Sequence, residues 1–203
     1  MLCRETVYPE TFSLLEDLSS FQPLKDFSLA GGTALALQIG HRISVDLDFF
    51  GNTSEDLTNI LAELKLKYAV QEMNTSKNIL SLNINNIKID LVNYAYPRIG
   101  SLIIEGKIRL YAKQDIVAMK LAAIKGRGKK RDFYDLYFLL EEYTLKQMLD
   151  FHQQKFADDS EFLVVKSLSY FEDAENDPDP ELLNTKVGWG KVKAKIKKAV
   201  QSL

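Results

Sequence analysis

Asp46 and Asp48 lie two residues apart in ISVDLDFF, and Asp90 lies in IKIDLVNY. Both stretches alternate in hydropathy. Val45, Leu47 and Phe49 oppose Ser44, Asp46 and Asp48, while Ile87, Ile89 and Leu91 oppose Lys88 and Asp90. Such alternation marks a strand with one polar face, so residues 43–50 are predicted to project Asp46 and Asp48 from one side, Cα atoms roughly 6–7 Å apart. Two carboxylates that close repel each other unless a cation lies between them. Mg²⁺, or Mn²⁺, suits their hard oxygens and leaves positions for water and substrate phosphate. If the two strands are neighbours, Asp90 joins the pair. Three carboxylates on one patch can hold two metal ions about 3.5–4 Å apart, the clamp for in-line phosphoryl or nucleotidyl transfer.

Upstream, the apolar run at 27–30 ends in Gly31-Gly32-Thr33, where a strand is expected to give way to a helix. Glycines let backbone approach a phosphate closely, and a helix N-terminus offers unpaired N–H groups and the positive end of its dipole. The Thr33 hydroxyl can cap that helix or touch the same phosphate. A lone Gly-Gly-Thr turn is weak; one followed thirteen residues later by Asp-x-Asp, then by a third strand acid, is much stronger.

A second block, KLAAIKGRGKKRDFYDLYFLL at 120–140, carries Lys120 and Arg127 seven apart and Asp132 and Asp135 three apart. On a regular helix each pair projects from nearly one side. Taken alone these residues also fit a solvated helix face, a helix cap at Asp132 and an Arg131–Asp135 ion pair worth a few tenths of a kcal/mol. Phe133, Tyr134, Tyr137 and Phe138 at helical spacing read as core. His41 and His152 are the only histidines and have no ligand-like company, which argues against zinc. Arg42 and Ser44 precede Asp46 closely; Arg42 suits equally a substrate phosphate or a brace for the carboxylates.

The glycine turn, the Asp46-x-Asp48 pair and Asp90 resemble the signature of the DNA polymerase β-type nucleotidyltransferase superfamily. The wording GGTALALQIGHRISVDLDFF, with the block at 120–140, resembles the AbiEii toxin family, to which the MenT toxins are related; the likeness covers most of residues 27–140. The resemblance implies transfer of a nucleotide from an NTP, in some relatives onto the 3′ end of tRNA. It implies Asp46, Asp48 and Asp90 as metal ligands and catalytic acids. Gly31, Gly32 and Thr33 would hold phosphates, with Arg42 and Ser44 beside them, and Lys120 and Arg127 would bind the triphosphate. Asp132 or Asp135 would be an additional active-site acid. The acceptor would be RNA, tRNA among the candidates, or a protein, and the partner a separate antitoxin.

Other elements must position these groups. Helical spacing predicts helices at 9–21, 33–39, from 57, and at 115–124, 132–142, 145–156 and 160–171. Gly126 and Gly128 are expected to interrupt the fourth of these. Residues 80–84 and 87–94 read as strands across an Asn85-Asn86 turn, and 101–110 as one or two more. Residues 172–181, with six acids and two prolines, read as a solvated, mobile loop. The tail from Trp189 reads as an amphipathic helix with five lysines. The expected fold is α+β: a polymerase β-like core over 1–110 with a mixed sheet flanked by helices, then a helical region over 111–203 sharing a groove with it.

The 203 residues include 26 basic and 28 acidic side chains, a net charge of −2 that excludes a uniformly basic nucleic-acid binder. One cysteine excludes an internal disulfide framework. No apolar run reaches membrane-spanning length and no signal peptide is read, so a cytoplasmic protein without a membrane partner is expected. Two rival readings stand beside the transferase: a nucleotide-binding module without turnover that acts through a protein partner, and an interaction protein whose acids decorate a surface.

Overall fold

The computed structural model describes residues 1–203, which form two compact units. The first comprises residues 1–40, 44–96 and 101–111, the second 41–43, 97–100 and 112–203. No helix is long and apolar enough to cross a membrane.

The first unit holds α1 (Pro9–Ser19), β1 (Phe27–Leu29), α2 (Gly31–Ile39), β2 (Leu47–Gly51), α3 (Leu57–Lys67), β3 (Val70–Thr75), β4 (Ile79–Ile84), β5 (Ile87–Asn93), β6 (Ile103–Glu105) and β7 (Ile108–Leu110). Its seven strands form one mixed sheet in the order β3-β4-β5-β2-β1-β7-β6. Alternation decides the faces. Leu47 and Phe49 of β2, Ile89 and Leu91 of β5 and Leu80 and Leu82 of β4 are buried in aligned cross-strand rows. Buried apolar residues of the helices, among them Leu15, Leu18, Leu35, Ile60 and Leu64, complete this core. Asn85 and Asn86 both take positive φ (54° and 63°), the backbone of a two-residue hairpin turn matching strand twist. Arg109 ties the β1 end of the sheet to the preceding loop by donating to the carbonyls of Ser19, Leu24 and Phe27.

The second unit holds α4 (Lys113–Arg127), α5 (Lys130–Leu139), α6 (Leu145–Lys155), α7 (Glu161–Ser167) and α8 (Trp189–Gln201). Phe133 and Tyr134 are buried, and Tyr134 stacks on Trp189 with ring centroids 5.9 Å apart. Phe133, Tyr134 and Tyr137 are therefore core, as their spacing suggests, while Phe138 is half-buried. A buried pair, Lys155 Nζ to Asp115 Oδ1 at 2.7 Å, joins α6 to α4. Asp115 also accepts from the backbone N–H groups of Ile99 and Gly100, which draws residues 97–100 into this unit.

Four local expectations change. β2 begins at Leu47, so Asp46 precedes the strand. Here the Thr33 hydroxyl bonds the Asp46 carbonyl and Ser44 N–H bonds Thr6 O, so these groups have partners outside a sheet ladder. α4 runs through Gly126 and ends at Gly128, whose φ of +55° forms a left-handed cap. β3 was not foreseen because VQEMNT lacks an apolar alternation and lies largely exposed at the sheet edge. The acidic stretch at 172–181 is bonded at several points rather than loosely solvated. Asp177 accepts from Lys129 Nζ and Lys130 N–H, and Glu175 from Trp189 Nε1 and Lys193 Nζ.

Candidate active site

Within the first unit, Asp48 on β2 and Asp90 on β5 are directly aligned in a parallel pair. Both project from the polar face, because their neighbours Leu47, Phe49, Ile89 and Leu91 fill the core. Ser81 of β4 stands opposite Asp90 and continues the row. Asp90 is asymmetric. Its Oδ2 accepts from Lys88 Nζ, two residues back on the same strand face, while Oδ1 is buried without a hydrogen-bond partner. A buried carboxylate oxygen left in this state is costly unless a cation or donor reaches it. Asp46 lies two residues before Asp48, outside the strand. No group of three or more Asp, Glu, His or Cys side chains is gathered as a closed metal-ligand set.

Gly31 opens α2 with φ +66°, a conformation that L side chains avoid. A Cβ there would run into the Asp48 carboxylate, so glycine lets the start of α2 press against this acid. Ala30 N–H, just before, donates to the Asp48 carbonyl at 2.8 Å. No side chain caps the N-terminus of α2. Thr33 does not cap it: its buried hydroxyl bonds Ser44 Oγ at 2.9 Å and the Asp46 carbonyl. Thr33 and Ser44 thus fasten the segment carrying Asp46 to the first turn of α2.

The second unit holds a buried charge network. Asp135 of α5 accepts from Arg42 Nε at 2.7 Å and Nη2 at 3.1 Å, from His41 Nε2 at 2.7 Å, and pairs with Lys120 Nζ at 2.5 Å. Asp132, one turn earlier, pairs with Lys120 Nζ at 2.7 Å and Arg127 Nε at 3.1 Å. Both carboxylates have 0% exposure. Burial alone would raise the Asp135 pKa, but the Arg42 and Lys120 cations and the bonds from His41 and Arg42 hold it well below the usual carboxylate range. Burial opposes the charge of Asp132 too, and Lys120 and Arg127 outweigh it, leaving its pKa lowered. Burial likewise opposes the Lys120 charge, and Asp132 and Asp135 reverse it, leaving the ammonium firmly protonated. His41 is pushed down by burial more than Asp135 raises it, so it is neutral near pH 7 and donates from Nε2; its buried Nδ1 has no partner.

The network revises the expectations for the second block. Asp132 and Asp135 are enclosed by cations: Lys120 pairs with both, Arg127 with Asp132 and Arg42 with Asp135. Arg127, with its side chain 51% exposed, is the cation of this group with most surface. Asp135 is reached by His41 and Arg42 rather than by an Arg131 one turn away on the same helix. No local pattern reports that link, since it spans more than ninety positions.

The amino-acid sequence matches a known family over nearly the whole chain: the nucleotidyl transferase AbiEii toxin family, of type IV toxin–antitoxin systems, matches residues 13–202. The chain belongs to the AbiEii family. A protein of Aquifex aeolicus (strain VF5), aq_aa25, is 36% identical over 166 residues, 79% of this chain and 81% of that protein. Two solved structures share the fold. JHP933 from Helicobacter pylori is 20% identical with a TM-score of 0.57, covering 97% of this chain and 92% of that one. MenT4, the nucleotidyltransferase toxin Rv2826c of Mycobacterium tuberculosis H37Rv, is 16% identical with a TM-score of 0.57, covering 97% and 86%. As an AbiEii family member the chain is a nucleotidyltransferase with a mixed α/β fold.

Proposed function

We propose that this AbiEii family member transfers a nucleoside monophosphate from an NTP to a hydroxyl of an RNA, with the tRNA 3′ end the first candidate. The observation that carries the reading is the aligned Asp48–Asp90 pair with the unsatisfied Asp90 oxygen beside the opening turn of α2. The reaction attacks the α-phosphorus with the acceptor oxygen. The bond from that phosphorus to the β-phosphate bridging oxygen breaks, and pyrophosphate leaves. The acceptor proton passes to water and on to bulk solvent, which leaves Asp90 Oδ1 for a cation.

Hard carboxylate oxygens suit a divalent cation, Mg²⁺ or Mn²⁺, and Asp46, Asp48 and Asp90 would supply them, Asp90 Oδ1 being buried without a partner. When bound, such a cation neutralises triphosphate charge and lowers the pKa of the attacking hydroxyl. The remaining work belongs to the chain. Gly31 and Gly32 keep the backbone at the start of α2 open to a phosphate, and the uncapped N–H groups there favour negative charge. Thr33 and Ser44 hold the Asp46 segment in position. The resemblance assigns Lys120 and Arg127 to the triphosphate; within its own unit Arg127 is bonded to Asp132. Asp132 and Asp135 act as positioning residues, with Lys120 locked between them. In the family's type IV systems the partner would be a separate antitoxin protein.

The test incubates the protein and its Asp48→Ala variant with Mg²⁺, each α-labelled NTP in turn, and total cellular RNA and protein. Label on a tRNA-sized band, with the intact protein alone, is expected. Label on a protein band would move the acceptor class. NTP binding with no label in any lane would replace the transferase by a binding module.

A further inference from the structure

At the junction of α4 and α5 four cations fall within five positions: Arg127, Lys129, Lys130 and Arg131. A pocket of about 250 Å³ opens here, lined by Arg127, Lys129, Arg131, Asp177 and Pro178. Its one acid comes from the distant stretch 172–181, which carries six acids. The Asp177 carboxylate accepts from Lys129 Nζ at 3.2 Å and from the backbone N–H of Lys130, the first residue of α5, at 3.1 Å. An anion is thus already seated where a helix N-terminus and basic side chains converge. Adjacent acids do the same: Asp179 pairs with Lys130 Nζ at 3.3 Å, and Glu175 with Lys193 Nζ at 2.5 Å and Trp189 Nε1 at 2.7 Å. The acidic segment is a strap laid along a basic surface, with all three acids from 175 to 179 meeting a donor.

We propose that this basic surface binds RNA backbone phosphates and that the 172–181 strap occupies it in competition with RNA. The strap's ion pairs are mostly exposed on at least one side: Lys129 is 51% exposed, Asp179 62% and Glu175 45%. Exposed pairs are worth roughly 0–1 kcal/mol each and weaken with salt. A polyanion that engages several cations at once and releases counterions can displace such contacts. The strap is anchored at its ends, by buried Ala174 on one side and by the backbone bond from Ile43 N–H to Glu181 O on the other, so displacement concerns the span 175–179 between them. The choice of RNA rests on the transferase reading above; the surface and its masking do not.

The test measures binding without NTP, so turnover plays no part. Fluorescently labelled total tRNA is titrated by anisotropy into the full chain and into a strap variant, Glu175→Gln/Asp177→Asn/Asp179→Asn. A control variant, Glu10→Gln/Glu16→Gln/Glu63→Gln, changes net charge equally at exposed positions outside the strap. The strap variant is expected to bind at least about ten-fold tighter than the control, with a salt slope steeper by about 1–3. Adding Lys129→Ala and Arg131→Ala to the strap variant should remove the gain. Equal affinity of strap and control variants, or a gain that survives the two alanines, overturns the proposal. If the triple variant melts early, Asp177→Asn alone, which spares Glu175 and Asp179, must still bind tighter than the parent. If inorganic phosphate at matched ionic strength displaces the label as well as unlabelled tRNA does, the site takes single phosphates and the RNA assignment falls. A capture of protein instead of RNA by the strap variant overturns it too. Absence of label transfer with tight RNA binding would sink the transferase reading and leave this one standing.

Discussion

Asp135 and Arg42, 93 positions apart, form a buried two-point pair: Nε to Oδ1 at 2.7 Å and Nη2 to Oδ2 at 3.1 Å. The same carboxylate holds His41 and Lys120. One acid therefore fixes three basic side chains, and the segment 41–43 becomes part of the helical unit. Residues 43 and 41 reinforce this with backbone bonds to Glu181 and Leu183.

Replacing that acid removes the two-point carboxylate from buried Arg42 and leaves Lys120 with Asp132. Asp135→Asn is expected to cost about 3–5 kcal/mol of unfolding free energy, the range for breaking one side of a buried pair. Arg42→Lys keeps the charge and loses the planar fork, so about 1–3 kcal/mol is expected. Urea denaturation of the three proteins checks both. A loss below 1 kcal/mol for Asp135→Asn would mean that water reaches this network.

The same network fixes a pH dependence. His41 is depressed by burial, so the unfolded chain binds its proton better. Its contribution to stability is whole above the unfolded value of about 6.5 and is lost as pH falls below it. His152, also lowered mainly by burial, adds in the same direction. Asp132 and Asp135 are depressed as well; their contribution is whole above about 3.9 and is lost as pH falls through their folded values. The urea midpoint should be flat from pH 8 to 7, decline below about 6.5 and drop steeply below about 4. His41→Gln should flatten the first decline in part. An unchanged slope between pH 6.5 and 5 in that variant would show that His41 is not the group titrating.

Much of this was legible in the residues themselves. Strict alternation in IKIDLVNY and the Asn85-Asn86 turn gave β5, its hairpin and the outward face of Asp90, because half-buried strands must alternate. The glycine turn was legible in position but not in role: positive φ at Gly31 and its closeness to Asp48 are tertiary facts. Asp46 read as strand because hydropathy records alternation and cannot record that Thr33 takes its carbonyl. The acidic stretch read as mobile because composition reports solvation, while its anchors, Lys129, Lys130 and Lys193, lie 18 to 49 positions away. The shared Asp135 is invisible for the same reason.

Gly31 offers a local test of the opening turn of α2. Its φ of +66° disfavours any side chain by about 1–2 kcal/mol, and a Cβ would displace the Asp48 carboxylate. Gly31→Ala should therefore lose activity well beyond its modest loss of stability. A drop in nucleotidyl transfer of about 10²-fold or more, with a melting temperature only a few degrees lower, is expected. Equal activity at reduced stability would show that the turn serves the fold alone.

Lys88 bears on the cation fit. Its ammonium holds Asp90 Oδ2 from two residues away on the same strand face and is 39% exposed. A divalent ion that takes Oδ2 must share or displace this contact. Because the pair is partly exposed, its worth is about 0.2–1 kcal/mol, which converts to no more than about five-fold in affinity. Lys88→Ala should thus bind Mn²⁺ about two- to five-fold more tightly in calorimetric titration of the nucleotide-free protein. Asp90→Asn should weaken binding in both the parent and the Lys88→Ala background and abolish the difference between them. Unchanged Mn²⁺ affinity in Lys88→Ala, with Asp90→Asn still weakening it, would show that the ion and the ammonium occupy separate oxygens of Asp90, the second being the buried Oδ1 that has no partner.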